Sequence, residues 1–197
     1  QAFSNSNKQT NYVIGCNSKV SQNYLKNFDN LKIKKIEVDT HNYRRWIVNS
    51  IRIITSPSRF TADKFKRRFN STLTITYEND IKCVYEGRVR HSGDEKDHIS
   101  LSGNTIIQSL DVHLTNGNIR GITKFKLLRP NTRGNLEDEI FLTELLRNLG
   151  YLAPRTIKVN ARINEASSIM IFQEKAAKEL LEFNKRREGP ILEGDER

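Results

Sequence analysis

Histidine is the most versatile acid–base and metal-binding side chain, and the sequence has four of them, at positions 41, 91, 98 and 113. Their spacing matches neither HxxxH nor HExxH, the patterns that place two imidazoles on one metal ion. Asp97 precedes His98, but no serine in an elbow motif accompanies this pair. We expect Asp97 and His98 to order their loop, and we assign no catalytic residue and no metal ligand.

Positive charge is concentrated in the first third of the chain. Residues 1–70 contain 14 Lys and Arg against 4 Asp and Glu, whereas residues 71–197 contain 19 of each, so the whole net charge of +10 lies before residue 71. The segment 44–68 is the densest part, and it could attract a polyanion, an anionic lipid or an acidic protein. The alternative is an ordinary solvated helix surface. No RNP, zinc-finger or helix-turn-helix signature indicates a nucleic-acid module.

Length and composition limit the remaining possibilities. A chain of 197 residues holds one domain, or one and a half, and it contains no apolar run of about 18 residues that would span a membrane. The first residues lack both an initiating Met and a signal segment, which suggests a cleaved, trimmed or fragmentary chain. Cys16 and Cys83 could pair or both stay free, and they form no CxxC site.

Hydrophobic periodicity predicts the elements that must position any site. The predicted strands cover 31–39, 73–77, 81–90, 106–114, 119–128, 156–163 and 167–173. The predicted helices cover 41–54, 136–149 and 175–187, and residues 62–69 are predicted to be a short basic helix or a turn. Asn135 is the predicted N-cap of helix 136–149, and 91–104 is a polar loop. The order of elements after residue 70 predicts an α+β fold, a mainly antiparallel sheet with helix 136–149 packed on it.

The charge division suggests two regions. Residues 1–70 are predicted to be a basic N-terminal extension, with 1–10 disordered, that forms a separate layer or extends the sheet. Residues 71–197 are predicted to hold the sheet and its helices. Lys124 and Lys126 alternate with apolar residues in this second region, so both lysines share one face of their strand.

Four segments of the second region resemble the CotH (spore-coat protein H) kinase-like family. They are GRVRHSGD at 87–94, GITKFKLLRP at 121–130, LGYLAPR at 149–155 and RREGPI at 186–191. The resemblance extends over about 110 residues, from Val84 to Asp195. It implies that 71–197 is a protein-kinase-like N-lobe, with helix 136–149 as the helix C equivalent and 173–175 as the hinge.

The same resemblance implies ATP and Mg²⁺ as cofactors of a full-length parent, a protein substrate, and a cell-envelope or spore-coat-like location. Phosphoryl transfer needs a phosphate cover, a lysine, a helix carboxylate, an Asp base and a metal-binding Asp. The implied cofactor-binding residues here are Gly93 in the loop, Lys124 or Lys126, and Glu144, with Glu139 as the alternative carboxylate.

Three departures from the family pattern limit this hypothesis. The loop has Gly93 and Gly103 but no GxGxxG, so a plain polar loop is the alternative interpretation. Gln108 and His113 stand where family members place basic residues. No Asp base is assigned after the hinge, and Asp195 is given no catalytic role. We therefore expect this chain alone to be inactive and to bind neither cofactor tightly.

The second hypothesis is a binding or structural protein with a degenerate kinase-like fold. In that case the basic segment 44–68 would dock the protein on an acidic partner or polyanion.

Overall fold

A computed structural model of the protein describes residues 12–14, 33–78, 80–132 and 136–192. These residues form ten β-strands and three short α-helices. The strands are β1 (Tyr12–Ile14), β2 (Ile33–Thr40), β3 (Phe69–Tyr77), β4 (Lys82–His91), β5 (Ile99–Ser102), β6 (Thr105–Gln108), β7 (Leu110–Leu114), β8 (Lys124–Leu128), β9 (Thr156–Ile163) and β10 (Ala166–Glu174); the helices are α1 (Tyr43–Thr55), α2 (Leu136–Asn148) and α3 (Lys178–Phe183). The predicted cap Asn135 and the predicted disordered lead-in 1–10 lie outside the described residues.

Seven of the strands close into a β-barrel. Their order is β4-β3-β2-β9-β10-β8-β7, and pairing between β4 and β7 completes the ring. All pairs in the ring are antiparallel except β2 and β9, which are parallel. β7 pairs with residues 87–91 of β4, while β1 runs parallel to residues 82–84 of the same strand. The strands β5 and β6 form a separate hairpin beside the barrel.

The predicted α+β fold, a kinase-like N-lobe with a packed helix, is wrong. Closure depends on three pairings between strands that are not consecutive in the chain, of β2 with β9, of β8 with β10 and of β4 with β7, and local periodicity does not encode which strands pair. The predicted helix does form as α2, but it is not packed as a layer. Phe141 and Leu142 remain 68% and 52% exposed, so much of its apolar surface is uncovered.

The barrel interior is filled by side chains that alternate with outward-facing polar residues, as the period of two in the strands requires. The inward side chains with no exposed surface include Ile36, Val38, Leu73, Ile75, Cys83, Val89, Leu110, Val112, Phe125, Leu127, Met170 and others of the same core. Trp46 of α1 packs edge-to-face on Phe69, with ring centroids 5.2 Å apart. The interior is therefore a packed core, and any binding site of the barrel must lie on its outside or at its ends.

Two predicted strands are shorter in the structure, and both differences shape the site. The predicted strand 106–114 is divided at Ser109 into β6 and β7. The backbone N–H of Ser109 donates to the carbonyl of His98 at 2.8 Å, and its buried hydroxyl accepts the backbone N–H of Arg129 at 3.0 Å. The predicted strand 119–128 begins only at Lys124, and a turn closed by Ile119 and Ile122 precedes it. The final predicted helix is limited to residues 178–183.

Candidate anion-binding site

A cleft of about 600 Å³ lies where the end of β4, the outward faces of β7 and β8, and the end of β10 meet. A turn of 3-10 helix at Lys96–His98 and another at Pro130–Thr132 flank it. Its lining is polar and rich in charge: Lys66, Arg90, His91, Ser92, Gly93, Asp94, Glu95, Asp97, His98, Asp111, Lys126, Leu128, Thr132 and Lys175. The lining contains four Lys and Arg side chains and four carboxylates, and this concentration of charged groups and loop residues makes the cleft the candidate site.

Asp111 of β7 is the centre of the cation cluster. Its carboxylate Oδ2 accepts from Arg90 Nε at 2.9 Å, and it lies 3.3 Å from Lys175 Nζ and 3.6 Å from Arg68 Nη2. Strand register fixes this arrangement, because Arg90 and Lys126 stand directly opposite Asp111 on its two neighbouring strands. One carboxylate is thus shared by three cations.

The pKa of Asp111 reports the same excess of positive charge. Burial raises this pKa, but Lys175, Arg90 and Arg68 together hold it below its ordinary value. Asp111 is therefore ionised, and its single negative charge leaves the three surrounding cations only partly compensated. Such a cluster favours an added anion, since each further negative charge relieves repulsion among fixed cations.

The loop after β4 forms one wall of the cleft. Gly93 has φ +108°, and a Cβ at this position would collide with the imidazole of His98, so both backbone conformation and space require glycine. The loop is held on the outside by an ion pair between Lys66 and Asp94, and Thr61 N–H donates to the carbonyl of Asp94 at 2.7 Å. These contacts hold the loop in a defined conformation.

His91 lies beneath this loop in the uncharged form. Its Nδ1 is 3.2 Å from Oε1 of Gln108, and the tautomer with the proton on Nδ1 donates this hydrogen bond. Gln108 Nε2 in turn donates to Ser50 Oγ at 2.8 Å. Burial lowers the pKa of His91 to about 4, the Gln108 hydrogen bond opposes that shift, and the nearby His98 and Lys66 add to it. Among the described residues, Nε2 of His91 has no hydrogen-bond partner.

The structure brings together two of the four sequence-predicted site residues. Gly93 and Lys126 both line the cleft. Lys124 points to the same side of β8 as Lys126, as the alternation predicts, but it lies opposite His113 and is not part of the cleft lining. Glu144 forms an ion pair of 2.5 Å with Arg147 along α2.

The carboxylate of α2 that is linked to the strand carrying Lys126 is Glu139. Its Oε1 accepts from Gln173 Nε2 at 2.6 Å, and Gln173 stands opposite Lys126 on β10. The middle residue of the predicted hinge has a structural role, because the buried Glu174 accepts from Arg155 Nε and Nη2, both at 2.7 Å. Of the two predicted carboxylates on this helix, Glu139 is the one linked, through Gln173, to β8, the strand that carries Lys124 and Lys126.

Sequence reasoning missed Arg90, Asp111, His91 and Lys175 as site residues. Arg90 and His91 lie in the GRVRHSGD segment and Lys175 in the predicted hinge, but of these two segments only Gly93 was assigned a site role, and Asp111 lies in none of the four segments. A further signal was the basic run at 64–68, which supplies Lys66 to the cleft and Arg68 to Asp111. The described residues include no group of three or more His, Cys, Asp or Glu side chains that could hold a metal ion.

No protein-family model matches the chain, and no curated protein is significantly similar to it. In the part of the chain that the structure describes, no helix has the length and apolar character needed to cross a membrane.

Proposed function

We propose that the cleft binds the phosphate groups of a nucleotide, and that the chain is the nucleotide-binding part of a CotH-type phosphoryl-transfer protein. The observation that carries this proposal is the sharing of one carboxylate, Asp111, by Arg68, Arg90 and Lys175. Arginine and lysine are the side chains that bind phosphate oxygens most strongly, the first as a two-pronged donor and the second as a point charge.

The size and lining of the cleft suit such a ligand. A volume of about 600 Å³ is within the usual range of about 300–1,000 Å³ for small-molecule sites. The turn at Gly93 brings loop backbone close to the cleft, and Lys126 adds a cation to its lining. A phosphate group entering here would compete with Asp111 for Arg90 and Lys175.

In this proposal ATP and Mg²⁺ are the cofactors of the full-length parent, and a protein is its substrate. The chain by itself binds ATP weakly and does not transfer the γ-phosphate. Mg²⁺ needs oxygen ligands placed together. The described residues include no group of three or more His, Cys, Asp or Glu side chains that could hold a metal, and in this proposal the metal arrives with the phosphates.

Isothermal titration calorimetry with ATP tests the proposal. We expect Lys126→Gln and Lys175→Gln each to weaken ATP binding about tenfold, since a hydrogen bond to a charged group contributes about 1.5 kcal/mol. Lys158→Gln is the matched control, because Lys158 is an exposed lysine of β9 that is not among the cleft residues. Absence of ATP binding at low salt, or equal losses in the control, would contradict the proposal.

A second candidate function is polyanion docking through residues 44–68. Arg44, Arg45 and Arg52 of α1 are all exposed, and none of them forms a salt bridge within the described part of the chain. The buried residues Trp46 and Ile53 occupy the opposite side of this helix. Heparin affinity measured against salt tests this function, because neutralising several anionic groups gives a steep salt dependence. A binding constant indifferent to salt would exclude it.

A further inference from the structure

Basic side chains continue beyond the cleft, across the outward face of the barrel. Arg88 of β4 stands directly opposite His113 of β7, and His113 stands directly opposite Lys124 of β8. Arg68, which precedes β3, lies close enough to affect the charge of His113. We call these four residues the outer basic face. None of them is a lining residue of the cleft.

Acidic side chains of the protein do not neutralise this face. Within the described residues, neither Arg88 nor Lys124 forms a salt bridge, and Arg68 is 3.6 Å from the Asp111 carboxylate that Arg90 and Lys175 also use. Glu86, two residues before Arg88, is 3.5 Å from His41 and accepts from Thr72 at 3.0 Å.

Glu179 is the remaining nearby carboxylate. One of its oxygens accepts a hydrogen bond from the hydroxyl of Thr123, and its charge acts on Lys124 without forming an ion pair with it. The balance on the outer basic face is therefore positive.

The positive charge on this face affects the pKa of His113. Burial lowers its pKa first, Lys124, Arg68 and Arg88 lower it further, and Asp111 alone opposes them. Cations that repel one another destabilise a folded chain. A bound anion would remove this repulsion and raise the pKa of His113, so binding of that anion would be accompanied by proton uptake.

We infer that the outer basic face binds an extended acidic peptide whose carboxylates occupy alternate positions. Arg88 on β4 and Lys124 on β8 are each two positions from a basic residue of the cleft lining, Arg90 and Lys126 respectively, a repeat of about 6.8 Å along a strand. A peptide in extended conformation that lies along the strands presents every second side chain to the face at the same repeat. Arginine pairs with carboxylates through two parallel hydrogen bonds.

The chemistry of the face favours a peptide over a single-stranded nucleic acid. Such nucleic-acid sites combine positive charge with aromatic side chains on which bases stack. In the strands β4, β7 and β8, Tyr85 and Phe125 are buried in the core, so these three strands expose no Phe, Tyr or Trp ring on this face. The inference does not depend on nucleotide binding in the cleft.

Fluorescence anisotropy with a labelled peptide of alternating Glu and Ser tests the inference. We expect Arg88→Gln and Lys124→Gln each to weaken binding about twofold to fivefold, as for exposed ion pairs, while Lys158→Gln has no effect. Neither substitution should lower the thermal midpoint, because each removes a repelled cation. The peptide should bind more tightly at pH 5.5 than at pH 7.5, and His113→Gln should abolish that pH dependence.

Three results would overturn the inference. The first is failure of the peptide to bind at low salt, and the second is a pH dependence that persists in His113→Gln. The third is tighter binding of a single-stranded oligonucleotide of equal charge, with the same losses in Arg88→Gln and Lys124→Gln, which would identify a nucleic-acid surface. ATP titration of the same Arg88→Gln and Lys124→Gln samples separates the two sites, because their cleft residues are unchanged.

Discussion

Acidification from pH 7 to pH 5 should destabilise the protein through His91. This imidazole is 2% exposed, and its pKa in the folded state is about 4, well below the ordinary value near 6.5. The unfolded chain therefore takes up a proton between these two values while the folded protein does not. A histidine whose pKa is lower in the folded protein than in the unfolded chain reduces the stability as the pH falls. The loss is complete below the pKa of the folded state.

The size of the effect follows from the two pKa values. Linkage between proton binding and folding gives a loss of about 2 kcal/mol between pH 7 and pH 5, rising to about 3 kcal/mol at pH 4. Carboxylates with lowered pKa values, such as Glu37 and Asp111, contribute to the free energy of unfolding, and this contribution is lost only as the pH falls below about 4, their ordinary pKa range. The interval from pH 7 to pH 5 thus isolates the histidines.

Urea unfolding at a series of pH values measures this loss. His91→Gln removes the titrating group, so its stability should be lower at pH 7 but should change by about 2 kcal/mol less than that of the wild type between pH 7 and pH 5. His113→Gln, on the more exposed outer face, is the matched control and should retain most of the slope. An NMR titration of the wild-type imidazole gives its pKa directly.

Two outcomes would refute this reasoning about His91. One is a slope in the His91→Gln variant equal to that of the wild type. The other is an NMR pKa for His91 close to 6.5, which would show that burial and the neighbouring His98 and Lys66 do not disfavour its charged form.

Three further predictions concern stability. Glu174→Gln should cost about 3 kcal/mol in urea unfolding, because it leaves the buried Arg155 guanidinium without its counter-charge; a loss below about 1 kcal/mol would show that the guanidinium is well solvated. Gly93→Ala should lower the thermal midpoint more than Gly103→Ala does, since both have positive φ (+108° and +57°) but only the first collides with a neighbour, His98; equal shifts would contradict this. Cys83 is disulfide-bonded, so reduction of the protein with dithiothreitol should lower the midpoint of urea unfolding; an unchanged midpoint would exclude the bond.

Local patterns in the sequence predicted most of the elements. Alternation of apolar and polar residues located the strands that became β3, β4, β9 and β10, since the period of two is a property of the strand itself. The predicted strands 156–163 and 167–173 are joined by a short turn in the structure, with φ +52° at Asn164. The same alternation placed Lys124 and Lys126 on one face of β8. These features depend on neighbours in sequence and can be inferred without tertiary contacts.

Closure of the barrel and assembly of the site required the tertiary structure. The parallel pairing of β2 with β9 joins segments about 120 residues apart, and many alternative partners have similar hydrophobic patterns. The kinase-like interpretation therefore placed the right helix, α2, in the wrong fold. Asp111 looks like an ordinary polar strand residue in the sequence. Only the register of β4, β7 and β8, together with the end of β10, surrounds it with cations and makes it part of a site, because long-range strand register is set by the packing of the whole core.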